Sequence, residues 1–75
     1  MSNVHTVMSR CPSGTKGQVV FVEGGHGARE RLADMGLFPG AIVEVLRNEG
    51  GPVLLKVGHG RLALGRQMAD LIFLS

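Results

Sequence analysis

Apolar and polar residues alternate over several short stretches of this chain, and glycines break the alternation. Gln18 to Glu23 (QVVFVE) is β-branched and aromatic and predicts a strand, with Val20 and Val22 on one face and Val19 and Phe21 on the other. Ala41 to Arg47 predicts a second strand, with Val43 and Val45 on one face and Ile42, Glu44 and Leu46 on the other. Val53 to Val57 predicts a third, turning Val53, Leu55 and Val57 inward and leaving Leu54 and Lys56 outside. Arg61 to Leu64 and Leu71 to Leu74 complete the set. The period changes between the first two strands. Ala28, Leu32 and Met35 follow a helical spacing and form one apolar stripe, so Ala28 to Met35 predicts a short helix. Arg66 to Asp70 has room for one more helical turn.

The junction RLADMGLFPGAIVEVLRN links helix to strand. Gly36 suits the left-handed residue that stops a helix, and Leu37 can fold back on the last turn. Pro39 pushes Phe38 into extended geometry, and Pro39-Gly40 fits the centre of a type II turn. The fold class expected is mainly β: a small SH3-like five-stranded barrel with one short helix and one further helical turn. Residues 1–12 have no clean period and read as an N-terminal arm, leaving 13–75 as the barrel domain.

Composition adds constraints. A domain of 75 residues buries about 60% of its unfolded surface and sits near the lower limit of unaided folding. Cys11 is the only cysteine, so no disulfide forms within the chain, and a thiol-based zinc site has too few ligands. No apolar run reaches the roughly 20 residues that cross a bilayer, nor does the N-terminus carry a signal-peptide core, so a cytoplasmic protein is expected. The formal charge is +2, with eight basic residues interleaved among six acids. With three Phe and no Tyr or Trp, there is little to stack on single-stranded nucleic acid, and no nucleic-acid partner is expected.

The three blocks RLADMGLFPGAIVEVLRN, GGPVLLKV and RLALGRQMADLIFL, in this order, resemble the ferrous iron transport protein A (FeoA) family. The positions that carry the resemblance are Arg31, Met35, Gly36, Leu37, Pro39, Gly40, Val43 and Val45; then Pro52 and Val57; then Leu62, Ala63, Leu64, Ala69 and Ile72. The match covers about residues 14 to 74 and does not extend to the segment holding Cys11. The resemblance implies an SH3-like barrel and an accessory role in bacterial ferrous iron uptake. The partner it implies is FeoB, a membrane transporter with a cytosolic GTP-binding domain. The same fold occurs as a domain of iron-dependent repressors.

The residues themselves point away from catalysis. Gly24-Gly25-His26-Gly27 lacks the Lys-Ser/Thr that follows a phosphate-binding loop, so GTP hydrolysis is not expected of this chain. Cys11 has no base fixed beside it, which leaves a thiol activity as a minor alternative to an incidental thiol on a loose arm. His26 and His59 are the metal candidates of the barrel. Their spacing fits no motif, the plainer reading is two solvated turn histidines, and no cofactor beyond adventitious zinc or iron is expected.

Leu37 and Phe38 admit two readings: core residues, or, with Met35 and Leu54, an exposed apolar patch flanked by Arg29 and Arg31. The contact surface expected comprises Arg29, Arg31, Leu32, Met35 and Leu54 with the corner Gly36, Leu37, Phe38, Pro39 and Gly40. It would dock on the cytosolic region of a FeoB-type transporter, without inserting into the membrane. The alternatives are a regulatory module of an iron-dependent repressor system and a self-associating, metal-responsive module that forms a weak homo-oligomer.

Overall fold

Strands form where the alternation runs, and a computed structural model describes their arrangement for residues 5–75. Six of them, β1 (Thr6–Val7), β2 (Lys16–Val22), β3 (Ile42–Arg47), β4 (Val53–Val57), β5 (Gly60–Leu64) and β6 (Ile72–Leu74), make one antiparallel sheet ordered β1-β6-β2-β3-β4-β5. Helix α1 (His26–Asp34) joins β2 to β3, and the single turn α2 (Arg66–Ala69) joins β5 to β6. The sheet curls because β2 serves both halves. Its first residues pair with β3, from Lys16 opposite Glu44 to Gln18 opposite Ile42, and its last pair with β6. The chain end passes close beside it: a Cβ on Gly17 would lie 2.8 Å from the Ser75 carbonyl oxygen, so only glycine fits there.

The core lies inside the curl. Val43 and Val45 of β3, Val53 and Leu55 of β4, Leu64 of β5, and Ile72 and Leu74 of β6 are all buried, as alternation on a half-buried sheet requires. Val57, expected inward, is only partly buried but packs against this core. Gly58 adopts a φ of +61° between Val57 and Gly60, which are opposite each other, so the β4–β5 hairpin closes in two residues with glycine first.

Three expectations need correction. The first concerns β2. Register slips between Val19, opposite Leu74, and Phe21, opposite Phe73. The extra residue resets the alternation, so Val19 and Val22 both face the core while Phe21 faces water. Phe21 stacks on Phe73, with ring centroids 4.6 Å apart and planes within 8° of parallel. The second concerns the helix, which starts at His26 and ends at Asp34 instead of running from Ala28 to Met35.

The third concerns the expected arm. Its residues 1–4 lie outside the described residues, but the rest belongs to the barrel. β1 adds a sixth strand against β6, with Thr6 opposite Leu74 and Val7 opposite Phe73. A 3₁₀ turn, Met8–Arg10, follows and buries Met8 completely, while Cys11 is 2% exposed. Polar contacts fasten this segment. Asn48 Nδ2 donates to the carbonyls of Ser9 at 2.9 Å and Cys11 at 2.7 Å. Arg66 Nη2 donates to the same Ser9 carbonyl at 2.6 Å, while its Nη1 holds Asn48 Oδ1 at 2.7 Å and the Gly51 carbonyl at 2.9 Å. The Ser9 hydroxyl donates to the Asp70 carboxylate. None of these partners is near its neighbour in sequence, which is why no local period announces them.

Candidate functional site

The corner after α1 is built from two backbone devices. The Leu37 N–H donates to the Leu32 carbonyl and the Gly36 N–H to the Ala33 carbonyl, both at 2.9 Å, with Gly36 at φ +90°. This is the Schellman termination that the sequence pattern predicts. Four residues on, the Ala41 N–H donates to the Phe38 carbonyl at 2.9 Å across Pro39 and Gly40, with Gly40 at φ +100°, as in a type II turn. β2 pins the corner: Gly40 N–H donates to the Val19 carbonyl and Val19 N–H to the Ala41 carbonyl, both at 2.8 Å. The corner is therefore a rigid mount for whatever side chains it carries.

Those side chains divide sharply. Leu32 and Leu37, expected on the contact surface, are 0% exposed and belong to the core, Leu37 at the floor of a groove beside Phe38. Their burial follows from the termination itself, which folds Leu37 back beneath the last helical turn. Met35 and Phe38 stay outside, at 36% and 48%, and Ile42 joins them at 64%. Phe38 is a ridge with a groove on each side. The larger, about 780 Å³, runs over Met35, Ala41, Ile42 and Val57 to Lys16 and Lys56. The smaller, about 360 Å³, lies between α1 and β2 and is walled by Phe21, Ala33 and Pro39, with Arg29 at its rim.

Two other expected members lie elsewhere. Leu54 is half-buried, in register with Arg47 and Ala63, and lines neither groove; Arg31 is exposed on α1 and also lines neither. In their place the sheet supplies a row that no local pattern contains. Lys16 stands opposite Glu44, Glu44 opposite Lys56, and Lys56 opposite Arg61. Directly opposed residues share a face, so these four cross the outside of the sheet in a line. Ile42 was legible as the outward neighbour of Val43, but the row depends on register between strands distant in sequence.

The metal and thiol candidates sit apart from one another, and of them only His26 reaches this face, at the smaller groove. His26 approaches Glu30 at 3.8 Å on the exposed side of α1, and His59 is exposed in the β4–β5 turn. Among the described residues, no three His, Cys, Asp or Glu side chains come together as a metal site needs. Cys11 is enclosed, its Sγ donating to the Val7 carbonyl at 3.6 Å, and burial pushes its thiol pKa up. A protonated, buried thiol is a poor nucleophile. No helix among the described residues is long and apolar enough to cross a membrane.

Comparison with known proteins addresses the whole of this architecture. A model of the FeoA domain matches residues 6–75, including residues 6–12 of the expected arm. The chain belongs to the FeoA family. The crystal structure of an iron uptake regulatory protein, FeoA, superposes with a TM-score of 0.90 at 39% identity, covering 95% of this chain and 96% of that one. The zinc complex of Stenotrophomonas maltophilia FeoA, described as a prokaryotic SH3 domain protein, superposes with a TM-score of 0.82 at 26% identity, covering 93% and 89%. The FeoA chain is thus a mainly β, SH3-like barrel. A Methanocaldococcus jannaschii protein provisionally named Fe(2+) transport protein A is 38% identical over 48 residues; the match spans 64% of this chain and 58% of that relative's length. A manganese-dependent transcriptional repressor shares the fold alone, with a TM-score of 0.87 at 17% identity over 42% of its length.

Proposed function

We propose that this FeoA-family chain is a non-enzymatic accessory protein of ferrous iron transport, working in the cytoplasm by contact with the cytosolic region of a FeoB-type transporter. The observation that carries this reading is the Phe38 ridge: a large aromatic side chain held in water by a corner pinned at both ends. Keeping nearly half of a phenylalanine exposed on a small domain, beside Met35 and Ile42, is what an unfilled contact surface looks like. Met35 can adjust its shape to a partner, while Phe38 is an anchor that loses little conformational freedom on docking. Family membership supports the link to iron transport, and the S. maltophilia relative has been suggested as a ferrous iron transport activating factor.

Control of a transporter by docking requires different affinities for two of its states. The rigid corner suits that task, because a surface that does not reshape discriminates between partner geometries. Complementation tests the reading. Cells lacking the chain are supplied with wild type, Met35→Asp or Phe38→Asp, and ferrous iron uptake is measured beside the thermal stability of each purified protein. The expected result is lost uptake with a preserved fold. Full uptake by both folded variants would contradict the reading.

A further inference from the structure

Sulfur is unevenly divided between the core and the surface. Met8 is 0% exposed and Cys11 is 2% exposed, while Met68 is partly buried against the same core. Met35 is 36% exposed, the most open of the sulfur-bearing residues described. Among the described residues it is also the sulfur that lines the larger groove, beside Phe38 and Ile42. The end of α1 fixes its place: the Met35 N–H donates to the Leu32 carbonyl at 3.0 Å, and the side chain stays outside the core.

We propose that Met35 is an oxidative modification site, a thioether that hydrogen peroxide converts to the sulfoxide, and that this change weakens docking on the Phe38 face. The inference rests on the docking reading above and adds a means of regulating it. Peroxide oxidises a thioether as it stands, whereas a thiol reacts through its thiolate, which burial disfavours at Cys11. The sulfur lone pair attacks one peroxide oxygen; an S–O bond forms and the O–O bond breaks. The departing hydroxide takes the proton of the transferred OH and leaves as water. Sulfur loses two electrons and the peroxide gains them. The product is polar and chiral where the thioether was flexible and apolar. A partner side chain seated between Phe38 and Ile42 would then have to strip water from the S=O oxygen. The barrel itself is spared, because Met35 contributes nothing to the core.

The experiment treats the folded full chain with hydrogen peroxide, removes the excess with catalase and reads each methionine by peptide mass spectrometry. Met35 should gain an oxygen at least about tenfold faster than Met8, which peroxide reaches only when the barrel opens, and faster than Met68. Titration with the cytosolic region of the FeoB-type transporter then compares treated and untreated chain. The oxidised chain should bind about tenfold more weakly, with an unchanged thermal melt. Methionine sulfoxide reductases A and B with dithiothreitol should restore the affinity. Met35→Leu, which nearly conserves volume, should bind equally before and after treatment, whereas Met68→Leu should stay sensitive.

Oxidation of Met8 or Met68 as fast as Met35 overturns the assignment of the site. If the untreated chain binds and the Met35 sulfoxide binds as tightly, the switch fails while the docking reading stands. Loss of binding when Met35→Leu is treated has the same meaning. If the untreated chain does not bind the transporter region, the docking reading fails and takes the switch with it.

Discussion

Leu37 is fully enclosed beneath α1, whereas Phe38, one residue on, leaves 48% of its surface in water. The sequence alone cannot separate them, because both are large, apolar and flanked by glycine and proline. The backbone separates them: the N–H of Leu37 is tied to Leu32, and Phe38 starts the turn that leads away. Leu37→Ala should therefore cost about 2–5 kcal/mol in denaturant unfolding. Phe38→Ala should cost under about 1 kcal/mol and weaken partner binding instead. The two glycines of the corner make a second pair. Both have positive φ, but a Cβ on Gly36 meets Val57 Cγ1 at 3.0 Å, while one on Gly40 meets nothing within 4 Å. Gly40→Ala should lose about 1–2 kcal/mol from backbone strain alone. Gly36→Ala should lose more, and thermal melts of the two proteins side by side will show the order.

At the scale of elements, what the sequence revealed were the features with local causes. Alternation marks β3 and β4, Gly36 marks the end of α1, and Pro39-Gly40 marks the turn. The bulge in β2 was hidden because QVVFVE is apolar at successive positions and reads equally well in either register. The N-terminal segment was hidden because two strand residues and one 3₁₀ turn have no period, and its fastenings to Asn48, Arg66 and Asp70 join distant parts of the chain. Placing it in the core has consequences. Met8→Ala should cost about 2–5 kcal/mol, whereas the same change in a loose arm would cost almost nothing. Cys11 gives a pH-dependent counterpart. Burial raises its thiol pKa above the ordinary 9.0, so the native state holds a proton that the unfolded chain releases first. That stability is fully present below 9.0 and declines as pH rises from there through the folded pKa. Denaturation curves between neutral pH and about pH 10 should show this decline, and Cys11→Ala should show less of it.

Across the whole molecule, the barrel acts as a mount. β2 curls the sheet and pins the corner, the N-terminal segment adds a strand against β6, and the grooves lie where α1 meets the sheet. A small domain gains most from burying apolar surface, so an apolar ridge left outside a finished core points to a partner more directly than any single charge does. Half of the exposed face around the ridge was legible in the sequence: Met35, Phe38 and Arg29 border the grooves, while Leu32 and Leu37 are buried. The other half, Ile42 with the Lys16–Glu44–Lys56 row, required the strands to be set in register.

The measurement that tests the central claim most directly is an NMR titration of the labelled full chain with the cytosolic GTP-binding region of the FeoB-type transporter, with and without a GTP analogue. The account predicts shifts concentrated on Met35, Phe38 and Ile42 and spreading to Lys56, abolished by Phe38→Asp and altered in strength by nucleotide. Shifts confined to β1 and the 3₁₀ turn, or binding that Phe38→Asp leaves intact, would contradict it.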